Sequence, residues 1–117
     1  MTNISIGKNG EEIARKYLEK HGFKIIETNK RFSKTCEIDI IAEEKGIIVF
    51  IEVKTRKTNI CGSPLGAITK EKYKHMKQGA FLYLQENKGF KKFRIDAISI
   101  ILRPELKIEH LKNVSLW

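Results

Sequence analysis

Two apolar, β-branched runs separated by four polar residues constrain the fold of this chain more than any other feature. Residues 36–42 read Cys-Glu-Ile-Asp-Ile-Ile-Ala, residues 47–54 read Ile-Ile-Val-Phe-Ile-Glu-Val-Lys, and Glu-Glu-Lys-Gly stands between them. Short Ile- and Val-rich runs on either side of a glycine-containing loop are typical of a β-hairpin. We therefore predict two antiparallel strands joined by a four-residue loop, which sets Ala42 opposite Ile47.

Charged residues interrupt both runs at positions that this pairing brings together. The predicted register places Asp39 opposite Phe50 and Glu37 opposite Glu52. Because side chains alternate along a strand, both acids of the first run share one face with Glu52 and Lys54. The diagonal pair Asp39 and Glu52 would then have Cβ atoms roughly 7 Å apart, within reach of one cation. A loop longer or shorter by one residue would reverse the faces.

Carboxylates clustered within apolar strands repel one another and lose hydration unless a cation compensates them. The candidate ligands Asp39, Glu52 and Glu37 are hard oxygen donors with no histidine beside them, which suits Mg2+ or Mn2+. Lys54 lies two residues beyond Glu52 and can hold or deprotonate a water beside such a metal. These are the parts of a site that hydrolyses phosphodiesters. Alternatively, Glu52 and Lys54 form an ordinary exposed ion pair, worth about 0 to 1 kcal/mol.

The remaining sequence predicts two helices and further strands. Apolar and small residues recur at helical spacing from 6 to 21 and from the cap Thr69 to about 87. Residues 23–28 and 93–101 are predicted strands, 29–35 a polar connection, and 107–110 a short edge strand. The order α-β-β-β-α-β predicts an α/β fold with a mixed central sheet flanked by helices. A chain of 117 residues is expected to form one domain, 1–117.

The hairpin residues resemble a known family. Asp39 followed by Glu52-Val53-Lys54 is similar to the D…(D/E)-x-K signature of the PD-(D/E)xK nuclease superfamily. Residues 36–42 and 49–56 resemble the YraN family of small bacterial proteins, and the similarity runs from about 7 to about 99. The further positions that carry it are Gly10, Glu11, Ala14, Tyr17, Leu18, Gly22, Phe23, Asn29, Arg31, Gly62, Pro64, Ala67, Lys72, Arg94 and Asp96. Cys36 and Ile38 depart from the pattern, and neither departure removes a presumed ligand.

This resemblance implies a restriction-endonuclease-like core and a Mg2+-dependent endonuclease with Asp39, Glu52 and Lys54 as catalytic residues. In the Holliday junction resolvase branch of the superfamily a glutamate of the first helix assists the metal site, which implies that role for Glu11. On the sequence alone, Glu11 is equally well explained as a helix-start acid favoured by the helix dipole. The resemblance also implies that Lys72 faces the scissile phosphate.

A formal charge of +9 favours a polyanionic partner, although excess charge also serves solubility. We expect the partner to be nucleic acid, with DNA favoured over RNA, and we expect no binding to a membrane. Linear and branched substrates both stay open, and cutting two strands or a four-way junction would require a homodimer. The N-terminal residues lack an apolar secretion signal, so a cytoplasmic location is expected. The residues predicted to bind nucleic acid are Arg31, Arg56, Lys57, Lys70, Lys72 and Lys74.

Two other functions are compatible with the same residues. One is an accessory protein that keeps the fold and the basic surface and binds nucleic acid without hydrolysing it. The other is a structural interaction domain unrelated to nucleic acid. Binding of Mn2+ separates the nuclease from both.

Overall fold

The computed structural model describes residues 3–58 and 68–115, which form two helices and five strands. The predicted order α-β-β-β-α-β is confirmed, and the short strand expected at the C-terminal end follows it. Gly62, Pro64 and Ala67 lie outside the described residues. In chain order the elements are α1 (Asn3–Lys20), β1 (Lys24–Ser33), β2 (Cys36–Glu44), β3 (Ile47–Arg56), α2 (Lys70–Glu86), β4 (Phe93–Ile101) and β5 (Lys107–Leu111).

The strands form one mixed sheet in the order β1-β2-β3-β4-β5. The pairs β1–β2, β2–β3 and β4–β5 are antiparallel, whereas β3 and β4 run parallel. A parallel pair requires a long connection, and α2 lies in this connection. The prediction of a mixed sheet is therefore confirmed.

The helices pack on opposite faces of this sheet and bury separate cores. Phe50 and Ile95 lie in the core beneath α2 with Met76 of that helix, whereas Ile51 and Ile98 lie beneath α1 with Leu18. Strands β3 and β4 are thus buried on both faces. This burial explains why residues 47–51 of β3 read as a continuous apolar run and not as an alternating one.

The loop between β2 and β3 is shorter than predicted. Only Lys45 and Gly46 form it, with φ of 53° and 83°, and two residues of positive φ are the ordinary connection of a tight hairpin. The preceding acids continue β2, because Glu44 pairs with Ile47. The prediction of a four-residue loop, with Ala42 opposite Ile47, is therefore wrong.

The shorter loop moves the register by two residues. Ile40 pairs with Ile51, and Phe50 pairs with Ile41. The predicted pairs Asp39 with Phe50 and Glu37 with Glu52 are wrong. Because the shift is even, the relative faces of the two strands stay as predicted, and the regular pairing ends at Ile40 and Ile51, one residue before Asp39 and Glu52.

Strand β1 is longer than predicted. It extends from Lys24 to Ser33, so most of the residues expected in a polar connection belong to the strand. Their charges fit because β1 is an edge strand, paired with β2 on one side only, and polar side chains at an edge face water. By contrast, the predicted cap of α2 is confirmed, since the Thr69 hydroxyl accepts a hydrogen bond from the Lys72 N–H at 3.1 Å.

Candidate active site

Asp39 lies at an irregularity of β2, where the side chains stop alternating regularly between the two faces of the sheet. Ile38 and Ile41 both contribute to the core beneath α2, while Ile40 between them contributes to the core beneath α1. At this irregularity Asp39 Oδ2 accepts a hydrogen bond from the Val53 N–H at 2.8 Å. A side chain thus takes the place that a strand carbonyl ordinarily has, and it fixes the Asp39 carboxylate against the backbone of β3.

Glu52 is the buried acid of the site. It is 5% exposed at the end of the apolar run of β3. Its Oε2 lies 2.5 Å from Nζ of Lys72 in the first turn of α2. Its Oε1 is buried and has no hydrogen-bond partner among the described residues. A buried carboxylate oxygen without a partner is rare in proteins and calls for an explanation.

The two carboxyl groups influence each other strongly. Burial first, and then the negative charge of Asp39 and a hydrogen bond with its carboxyl group, raise the pKa of Glu52 to about 8, against the opposing effect of Lys72. When both groups are ionised neither can donate, which leaves Oε1 of Glu52 without a partner. A proton shared with Asp39, or a cation, removes this deficit.

The charge of Lys72 is held in place by the same pair. Burial lowers the pKa of Lys72, but its hydrogen bond with Glu52 and the charges of Glu52 and Asp39 outweigh burial and raise it. Sequence reasoning placed Lys72 among the nucleic-acid ligands and missed its ion pair with Glu52. The signal available was a lysine at the edge of the apolar stripe of α2.

Glu11 approaches the site from the opposite side of the sheet. Helix α1 lies against β3 here, because a Cβ on Gly10 would come within 1.7 Å of Thr55 Oγ1. Burial, followed by the negative charge of Asp39, raises the pKa of the half-buried Glu11. The structure therefore brings Glu11 within electrostatic reach of Asp39, and its catalytic role stays a prediction.

Glu37 and Lys54 take up other positions. Arg31 of β1 binds the Glu37 carboxylate at 2.9 Å. Across residues 3–58 and 68–115 no three acidic, histidine or cysteine side chains are gathered as metal ligands, so the structure adds no third ligand to Asp39 and Glu52. Lys54 is exposed on β3.

A cleft of about 490 Å³ lies between the β1–β2 turn and the first turns of α2. Arg31 and Lys72, both predicted to bind nucleic acid, line it together with Lys34 and His75. His75 was not anticipated from the sequence. The other four predicted residues lie outside the cleft. Lys57, Lys70 and Lys74 are exposed, and Arg56 is half-buried at the end of β3.

A second buried acid, Asp96 of β4, is fully enclosed in a polar network beneath α1. It accepts hydrogen bonds from Arg94 Nε at 3.0 Å and from the Asn113 N–H at 2.9 Å, and it pairs with His110 Nε2 at 2.8 Å. Arg94 and Asp96 form an ion pair. Although burial raises the Asp96 pKa, the bonds to His110 and Arg94 outweigh it and leave the pKa lowered. The network ties β5 to the sheet.

Comparison with curated proteins finds close relatives over almost the whole chain. A UPF0102 protein of Syntrophomonas wolfei is 39% identical over 95% of this chain and 97% of its own. A UPF0102 protein of Alkaliphilus metalliredigens is 41% identical over 93% and 96%, and one of Clostridium botulinum is 47% identical over 86% and 82%.

Among solved structures, Pyrococcus furiosus SfsA in complex with Ca2+ matches 96% of this chain and 64% of its own, with 18% identity and a TM-score of 0.36. No helix among the described residues has the length and apolar character needed to cross a membrane.

The family comparison covers the site itself. The model of "Uncharacterised protein family UPF0102" matches residues 10–100, a range that contains Glu11, Asp39, Glu52 and Lys72. This match and the identities above agree with the resemblance found in the sequence. The chain belongs to UPF0102, the YraN family.

Proposed function

We propose that this protein is a metal-dependent nuclease that hydrolyses phosphodiester bonds in nucleic acid, with Asp39 and Glu52 holding Mg2+ or Mn2+. The observation that carries the proposal is the buried Glu52 carboxylate beside Asp39, with an oxygen that has no hydrogen-bond partner. Two adjacent carboxylates in an apolar setting require a proton or a cation. A divalent cation compensates both at once.

The donor set fits these ions. Mg2+ keeps several water ligands and is usually bound through one or two carboxylates together with substrate phosphates. Asp39 and Glu52 meet this requirement without Glu37, whose carboxylate is engaged by Arg31. Mn2+ accepts the same oxygen ligands. The lack of a third acidic ligand among the described residues is therefore compatible with the proposal.

Bound between these acids, the metal would lower the pKa of the attacking water and neutralise charge on the phosphate. The protein supplies the positioning. Asp39 is held by the Val53 N–H, so its position does not depend on the ligand. Lys54, exposed on β3, orients the water and stabilises negative charge on the phosphate. Glu11 of α1, within electrostatic reach of Asp39, supports the site.

The substrate we propose is DNA. The net charge of +9 and the Arg31, Lys34 and Lys72 side chains that line the cleft beside Glu37 and Glu71 favour a phosphate backbone, which binds through lysine and arginine without reading sequence. The resemblance to Holliday junction resolvases favours branched DNA, cut by a homodimer. Linear duplex and single strands are the comparison substrates.

The test combines metal binding with cleavage. Calorimetry should show Mn2+ binding to the wild type, and branched DNA should be cut with Mg2+ or Mn2+. Asp39→Asn and Glu52→Gln should lower cleavage by orders of magnitude, and Lys54→Ala should abolish it while leaving metal binding largely intact. Glu86→Gln, an exposed acid of α2, is the matched control and should cleave normally. A wild type that binds no Mn2+ contradicts the proposal.

A second candidate is the accessory protein that binds nucleic acid without cutting it. The observation that favours it is the Lys72–Glu52 ion pair, which already supplies one positive charge to the acids. This candidate predicts no Mn2+ binding, but an affinity for duplex DNA that falls with salt at a log-log slope of about −0.9 per neutralised phosphate. Salt titrations in the presence of a chelator measure it directly.

A further inference from the structure

We infer that Lys72 changes partner when a divalent cation binds, leaving Glu52 and turning to a phosphate of the nucleic acid in the adjacent cleft. The inference rests on the proposed function, because it requires a metal at Asp39 and Glu52. It adds a coupling between the two ligands, in which metal binding increases the affinity for nucleic acid and nucleic acid increases the affinity for metal.

The Lys72–Glu52 ion pair is asymmetric in a way that permits exchange. The Glu52 side chain is 7% exposed, whereas the Lys72 side chain is 43% exposed. The backbone of Lys72 is fixed in the first turn of α2, where its N–H donates to the Thr69 cap. The acid is therefore rooted in the core, while the lysine reaches it from the surface and can rotate back into water without moving the helix.

The charges around the acids determine when this rotation occurs. When both are ionised, Asp39 and Glu52 carry two negative charges, of which Lys72 neutralises one across its 2.5 Å contact. A divalent cation neutralises both by itself. With the cation in place, the ammonium becomes a surplus positive charge beside another positive charge, in a setting with little water to screen it. Lys72 then loses the interaction that holds it at Glu52.

The new partner of Lys72, a phosphate of the nucleic acid, binds in the cleft. Lys72 already lines it, together with Arg31, Lys34 and His75 and the acids Glu37 and Glu71. Arg31 is engaged by Glu37, so a released Lys72 adds a positive charge that the metal-free protein does not present. One additional lysine available to a phosphate should appear as one additional counterion displaced from DNA. By linkage, the two ligands must strengthen each other by the same factor.

The experiment measures the affinity for a short DNA duplex by fluorescence anisotropy over a range of salt, with and without Mn2+. All proteins carry Lys54→Ala so that the duplex stays intact. Mn2+ should steepen the log-log salt slope of the otherwise wild-type protein by about 0.9, which corresponds to one phosphate. Lys72→Met should show no steepening. Lys88→Met, an exposed lysine beyond α2, is the matched control and should keep it.

Calorimetry provides a second readout that does not involve DNA. Because Lys72 competes with the metal for Glu52, Lys72→Met should bind Mn2+ about five- to tenfold more tightly than the wild type. In wild-type protein, the NMR signal of the Lys72 ammonium should be protected without metal and lost on adding Mg2+. This measurement needs no variant and holds even if Lys72→Met is poorly folded.

The outcomes separate this inference from the proposed function. If the wild type binds Mn2+ but the steepening is the same in Lys72→Met, or the ammonium signal persists with Mg2+, the partner change is refuted and the metal site stands. If the wild type binds no Mn2+, the metal site fails and the partner change fails with it.

Discussion

Glu52→Gln should stabilise the metal-free protein at pH 8. In the wild type, Glu52 is buried beside Asp39, and the pKa of Glu52 is raised from 4.5 to about 8. A glutamine has the same shape and no charge. Its amide N–H can donate to the Asp39 carboxylate and its oxygen can accept from Lys72. The substitution therefore keeps the contacts and removes the repulsion.

The size of the effect follows from the two pKa values. Between pH 4.5 and 8 the folded protein holds a proton on Glu52 that the unfolded chain has lost, so unfolding becomes easier as the pH rises through this window. The stability from this proton is fully present below pH 4.5 and is lost at about pH 8. Each pH unit corresponds to about 1.4 kcal/mol, so the whole window amounts to a few kcal/mol. The variant lacks this dependence.

Urea unfolding between pH 5 and 8.5, with a chelator present, measures the difference. The unfolding free energies of wild type and Glu52→Gln should be similar at pH 5 and should diverge in favour of the variant towards pH 8. Glu86→Gln should follow the wild type. Adding Mn2+ should stabilise the wild type and leave Glu52→Gln unchanged. If Glu52→Gln is the less stable protein at pH 8 and Mn2+ never stabilises the wild type, Glu52 is a structural partner of Lys72 and the accessory binding protein is favoured.

Three further changes test other parts of the molecule. Asp96→Asn should lower the free energy of unfolding by on the order of 3 kcal/mol at pH 7. Because the pKa of Asp96 is lowered from 3.8, the difference from the wild type should shrink as the pH falls below 3.8. Urea unfolding at pH 7 and at pH 3 measures both values. Gly10→Ala should lower the melting temperature, since its Cβ would lie 1.7 Å from Thr55 Oγ1, whereas Gly89→Ala, which meets open space, should not. Lys74→Met should lower the affinity for DNA duplexes of unrelated sequence to the same extent, which fluorescence anisotropy measures.

The parts of the fold that depend on short stretches of sequence could be predicted. The cap Thr69 and the helix after it, and the two apolar runs of the hairpin, are local signals. The predicted hairpin loop is too long because the polar residues 43 and 44 resemble the start of a loop. Glu44 instead continues the strand and binds Arg94 of β4 at 2.7 Å. That partner lies two strands away, so nothing near Glu44 in the sequence reveals it.

The part of the candidate site that could be predicted is the part whose residue types are unusual for their surroundings. Asp39 and Glu52 are acids within apolar strands, and this contrast is visible in the sequence. Lys72 lies in the first turn of α2, far from Glu52 in the sequence, and its ion pair depends on how that helix packs on the sheet. The same reason hides the pairing of Asp96 with His110, which joins β4 to β5.

The two buried acids of the sheet provide an internal comparison that favours a functional role for Glu52. Asp96 is 0% exposed and is bound by Arg94, His110 and a backbone N–H, so its pKa is lowered. This fold can therefore satisfy a buried carboxylate completely. Glu52 has one lysine reaching in from the surface, an oxygen without a partner and a raised pKa. Perturbed acids of this kind concentrate at functional sites. A structural acid gains nothing from such an arrangement, whereas an acid that binds a cation must keep a coordination position open.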